Sequence, residues 1–97
     1  MLQVPATIQL AFATTPLVVH LFDISKTGVA FASGRDIDNG SSFMLSFSLP
    51  QGQQVTVEGR SVYSIRSSNG DLYRIGARIV LDGEALERVR DFISLPP

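Results

Sequence analysis

The sequence predicts an all-β fold: a small antiparallel barrel of six strands with one C-terminal helix packed against it. Three observations carry this prediction. Short extended runs with period-two hydropathy follow one another, each bounded by turn residues. One long run changes phase part-way, as a strand does when it bends to close a barrel. Only the last segment has helical spacing. The 97 residues are the size of one domain, with strands over about 4–81 and a helix over about 84–94. At this size roughly 60–65% of the unfolded surface can be buried.

Each element has its own signal. Ile8, Leu10 and Phe12 alternate with Gln9, Ala11 and Ala13, and Thr14-Thr15-Pro16 turns the chain. Leu17 to Ile24 is extended and rich in branched residues, and Asp23 to Gly28 breaks it. Val29 to Ala32 reads as a short third strand, followed by a polar loop to Asn39-Gly40. Phe43, Leu45, Phe47 and Leu49 alternate with Met44, Ser46 and Ser48, and Pro50-Gln51-Gly52 is the next turn. In the fifth run, Gln54 to Ile65, Val55 and Val57 share one parity and Val62 takes the other. Gly59 lies between them, which predicts a bulge there. Ser67-Ser68-Asn69-Gly70 is a hairpin turn. In the sixth run Tyr73, Ile75, Ala77, Ile79 and Leu81 form an apolar face, while Arg74 and Arg78 share the other. Ala85, Leu86, Val89, Phe92 and Ile93 then fall on one helical stripe, with Asp82 as candidate N-cap and Glu84 in the first turn.

Composition narrows the function classes. Cysteine is absent, which excludes disulfides and thiolate metal sites, and His20 is the one histidine. A Ser–His–Asp site would need His20 as its base, but His20 sits mid-strand between Val19 and Leu21, where a plain strand-face role is simpler. Asp36 to Gly40 faintly resembles a calcium loop, but Phe47 stands where the closing glutamate belongs. No glycine-rich phosphate loop ends in lysine. These observations point away from an enzyme and from a bound metal. The net charge is −1, against the basic balance of a general nucleic-acid binder. The run Ile8 to Phe22 is too short and too interrupted to span a bilayer and lacks signal-peptide features, so the expected compartment is the cytoplasm. Of eight basic residues seven are arginine, the side chain that forks onto carboxylates, phosphates and base edges.

Asp23 to Gly28 is the most informative segment. Asp23 and Ser25 are two apart, so an extended chain points them to one face. Asp offers two acceptors, Ser a donor and an acceptor, and Gly28 permits the positive φ of a tight turn. Such a set can hold a donor-rich edge such as that of guanine, or can simply satisfy the backbone of the turn. Asp23-Ile24-Ser25-Lys26-Thr27-Gly28-Val29-Ala30-Phe31 resembles the second signature of the PilZ domain family and the strand after it. Val57 to Val62, Tyr73 to Ile79 and the helix Glu84 to Ile93 resemble that family's following strand, last strand and closing helix. The resemblance implies a six-stranded barrel that senses the bacterial second messenger cyclic di-GMP, with Asp23, Ser25 and Gly28 as ligand-binding residues.

The same comparison shows a departure. The family's first signature, Arg-x-x-x-Arg, stands just before a strand opening like Val4-Pro5. Its second arginine falls at Gln3, and its first before Met1. Charge-assisted contacts are worth roughly 1.5–3 kcal/mol each, so losing two costs several decades of affinity. Arg74 and Arg78 are candidate substitutes for phosphate contact, with Gln3 a neutral one; Arg60 and Arg66 are further candidates, or all four arginines simply face solvent beside partners such as Glu58 and Asp71. The expected function is a non-catalytic PilZ-type regulatory domain in cyclic di-GMP signalling, with direct binding weak or absent unless an N-terminal segment is missing. The alternative is a degenerate PilZ adaptor that contacts a protein partner without the nucleotide. A small barrel binding single-stranded nucleic acid comes third: among eight aromatics, Phe12, Phe31, Phe43, Phe47 and Phe92 are taken up by core periodicity.

Overall fold

The computed structural model describes residues 4–11, 13–49, 52–68, 70–81 and 83–89. Six strands are present: β1 (Val4–Leu10), β2 (Leu17–Ile24), β3 (Gly28–Ser33), β4 (Ser42–Ser48), β5 (Gln54–Arg66) and β6 (Tyr73–Ile79). One helix follows, α1 (Gly83–Val89). The strands close into an antiparallel barrel in the order β1-β2-β3-β6-β5-β4. Closure pairs β1 with β4, so no strand is left at an edge.

The core follows the alternation. Ile8, Val19, Leu21, Phe31, Leu45, Val55 and Ile75 are fully buried, and the Phe31 and Phe43 rings meet edge to face at 5.9 Å. Val89 of α1 is also buried, with Ala85 and Leu86 half-buried against the core. Arg88 holds the helix in place: Nη1 donates to the Gln54 carbonyl at 3.0 Å and Nη2 to Glu84 Oε1 at 2.6 Å. The expected N-cap Asp82, the continuation of the helix through Phe92 and Ile93, and Phe12 lie outside the described residues. The first strand starts and ends earlier than its alternation predicts. Gln9 Nε2 donates to the Ala13 carbonyl at 2.7 Å and the Ala13 N–H to the Leu10 carbonyl at 3.1 Å, which turns the chain just after Leu10.

The phase change in β5 is real, but its position is corrected. Val55, Val57, Gly59 and Ser61 all face inward, and the register shifts between Ser61 and Tyr63. Val62 is the extra residue, 47% exposed. Gly59 is needed for a different reason. A Cβ there would lie 2.7 Å from Phe43 Cε1, so its missing side chain makes room for a core ring.

Candidate functional site

The position of Asp23 depends on a bulge in β2. Val19 and Leu21 point into the barrel, and unbroken alternation would carry Asp23 in after them. Instead Leu21 pairs with Phe31 and Asp23 with Ala30, leaving Phe22 as an extra residue. Phe22 is half-buried and Asp23 exposed, while Ile24 returns to the core. Burying a lone carboxylate would cost several kcal/mol or force its protonation. The bulge makes it a surface acceptor, and among the described residues it has neither a hydrogen-bond nor an ion-pair partner.

Ser25 is engaged by the turn. Its N–H donates to the Gly28 carbonyl at 2.8 Å, and its Oγ accepts the Gly28 N–H at 3.2 Å and lies 3.3 Å from the Gly28 carbonyl. The Thr27 carbonyl accepts the Ile79 N–H at 3.1 Å, which ties the turn to the end of β6. Gly28 does not have the expected positive φ; Gly40, Gly52, Gly70 and Gly83 do. Gly28 opens β3 opposite Arg78, and a Cβ would sit 3.3 Å from the Ala77 carbonyl oxygen. Close approach of two backbones, not a left-handed turn, is what favours glycine there.

The two β6 arginines share the outer face, as their spacing predicts, but their surroundings differ. Arg74 Cζ lies 4.7 Å from the centroid of the Phe22 ring, and its Nε donates to the Tyr63 hydroxyl at 3.4 Å. Tyr63 itself covers Gly76, where a Cβ would fall 2.0 Å from its Cε2. The bulges at Phe22 and Val62 thus deliver two aromatic rings to either side of Arg74. Arg78 has no such shell. It pairs with Gly28 on one side and stands directly opposite Arg60 on the other. Among the described residues neither Arg60 nor Arg78 has an ion-pair partner, and Glu58 does not supply one. Arg66 pairs with Tyr73 at the far end of β6. Gln3 lies outside the described residues.

Two rows run around the barrel here. Asp23, Ala30, Gly76 and Tyr63 form one, in which the Tyr63 ring lies over Gly76 and Ala30 stands between it and the acceptor. Gly28, Arg78, Arg60 and Ser42 form the other. With strands about 4.8 Å apart, Arg78 is one strand from the motif glycine and Arg60 two. The surface can accept hydrogen bonds at Asp23, stack a flat group at Tyr63 and hold an anion at Arg78. Phe22 and Tyr63 were not singled out from the sequence. The signal for Phe22 was available: Val19 and Leu21 have odd parity, and the next buried residue, Ile24, has even parity.

The remaining chemistry is sparse among the described residues. His20 is exposed on the outer side of β2, opposite Pro5 and Ala32. No group of three or more metal-ligating side chains converges, and no helix is long and apolar enough to cross a membrane.

The family model of the PilZ domain matches residues 2–95. No curated protein matches the chain in sequence at a significant level. With a closed six-stranded barrel, a C-terminal helix and the Asp-x-Ser-x-x-Gly turn between β2 and β3, this chain belongs to the PilZ domain family, generally non-catalytic regulatory domains of cyclic di-GMP signalling.

Proposed function

We propose that this chain acts as a single cytoplasmic regulatory domain in cyclic di-GMP signalling whose own hold on the nucleotide is weak. The observation that carries the reading is the imbalance of the site. The exposed Asp23 carboxylate, unpartnered among the described residues, suits the N–H edge of guanine. The cationic side is thin. Gln3 stands where the family signature has its second arginine, Arg74 is held by Phe22 and Tyr63, and Lys26 within the motif and Arg78 beside it remain as cations. A lysine point charge and one guanidinium fork do not replace the paired guanidinia of the family's first signature, which grip phosphates bidentately.

A second reading draws on an apolar outer surface. Val18 is 65% exposed on β2 and Ile65 58% on β5, with β3 and β6 between them. A protein adaptor would use such a face. Calorimetric titration with cyclic di-GMP separates the two. The proposed reading expects binding weaker than about 100 μM, lost in Asp23→Ala. Affinity of about 1 μM or tighter would overturn it, and no heat at any concentration, with wild-type and variant alike, would favour the adaptor.

A further inference from the structure

A second arginine-bearing surface lies away from the motif turn. The connection from β1 to β2 and the loop from β3 to β4 face each other across a groove of about 760 Å³. Leu10, Ala11 and Ala13 supply its apolar side, Thr14 and Thr15 its outer rim, and Arg35 and Arg60 its charge. Among the described residues no carboxylate lines it. Among the described residues neither arginine has an ion-pair partner. Glu58, two residues before Arg60 on the same face of β5, makes no ion pair with it, and Asp36 beside Arg35 instead accepts a hydrogen bond from Ser64 at 2.5 Å.

Both walls are tied down by hydrogen bonds. The buried polar residues among those described are Ser33 and Ser61, and both serve the β3–β4 loop. Ser33 Oγ donates to the Arg35 carbonyl at 2.8 Å and accepts the Arg35 N–H at 3.0 Å. Ser61 Oγ donates to the Asp38 carbonyl and accepts the Ser41 N–H at 3.0 Å. Ile37 anchors the loop in the core. On the opposite wall, Gln9 clamps the β1–β2 connection through the Ala13 carbonyl. A loop that lacks regular structure but is pinned at several points holds the backbone that carries its arginine. Preorganisation of this kind reduces the ordering cost of binding.

Arg60 also carries a repulsive burden, standing directly opposite Arg78. Like charges placed opposite one another on a sheet destabilise it, and a bound anion relieves that repulsion. We propose that this groove is a binding site for a small phosphate-bearing molecule, with the phosphate between Arg35 and Arg60 and an apolar portion against Leu10, Ala11 and Ala13. The site is separate from Asp23, Ser25 and Gly28, none of which lines it.

The test is an NMR titration of the ¹⁵N-labelled chain with pyrophosphate and, separately, with guanosine 5′-monophosphate. Saturable shifts are expected at Thr14, Thr15, Gly40, Ser41 and Ser42, with the two probes competing and the mononucleotide binding more tightly. Arg35→Gln and Arg60→Gln each weaken binding by about tenfold or more, while Asp23→Ala leaves it unchanged and so separates this site from the motif turn. Thr15→Glu, which places a carboxylate on the rim and removes no arginine, weakens it as well. The absence of saturation at millimolar probe, or saturation that survives in the Arg35→Gln/Arg60→Gln double variant with its Tm intact, would overturn the proposal.

Discussion

The two halves of β6 carry the same side chain in opposite circumstances. At the Tyr73 end, Arg74 lies over an aromatic ring and hydrogen-bonds a phenol. At the Ile79 end, Arg78 faces another arginine and the glycine that opens β3. The difference comes from strands on either side. Bulges in β2, beyond β3, and in β5 lie level with the middle of β6, and Phe22 and Tyr63 from them meet Arg74 and not Arg78. One arginine is thereby part of the architecture. The other is left exposed beside a ligand motif, where its charge is available and costs the fold stability.

The largest way to break this contrast is at the glycine between the two arginines. Gly76→Ala would drive a methyl group into the Tyr63 ring. It is expected to destabilise the barrel by about 1–3 kcal/mol, a fall in Tm of roughly 5–20 °C. An unchanged melting curve would mean that Tyr63 leaves the surface freely and that Arg74 is not fixed by it. Gly28→Val comes next, because the branched side chain meets the Ala77 carbonyl. The expected loss is about 1–2 kcal/mol, from crowding alone, with Gly28→Ala losing less; a loss in Gly28→Ala as large as in Gly28→Val would point back to backbone strain.

Smaller effects sharpen the comparison. Arg74→Ala should cost about 0.5–1 kcal/mol through the lost contact with Phe22. Arg78→Ala should leave stability equal or raise it by about 0.2–1 kcal/mol, since it relieves the pairing with Arg60. Urea unfolding of the two variants under one low-salt buffer reads this difference in sign. Equal losses in both would remove the distinction between a structural and an available arginine.

Much of the fold was legible because its code is local. Period two marked each strand, and the turn residues between them were sufficient to order the elements. The phase change in β5 was visible as well, though Gly59 drew attention away from Val62, because a glycine that makes room for a ring and a glycine at a bulge read alike in one dimension. The site was less legible. Asp23 and Ser25 lie on one face as their spacing implies, yet Ser25 is occupied by its own turn. Arg74 and Arg78 look equivalent along the strand. Only cross-strand register shows that one meets Phe22 and Tyr63 and the other Arg60, and register between distant segments is not written in either segment alone. The arginine-lined groove is hidden for the same reason, since Arg35 and Arg60 line one groove only because the β3–β4 loop is tied to Ser61 of β5.

The motif turn is in place, and on the proposed reading the arginine replaced by Gln3 is what tight nucleotide binding needs. Titration of wild-type chain and Gln3→Arg with cyclic di-GMP, side by side in a calorimeter, tests it most directly. The predicted result is weak binding by the wild type and about tenfold or greater tightening in Gln3→Arg, with the gain abolished by adding Asp23→Ala. Tight binding by the wild type that Gln3→Arg leaves unchanged would contradict it.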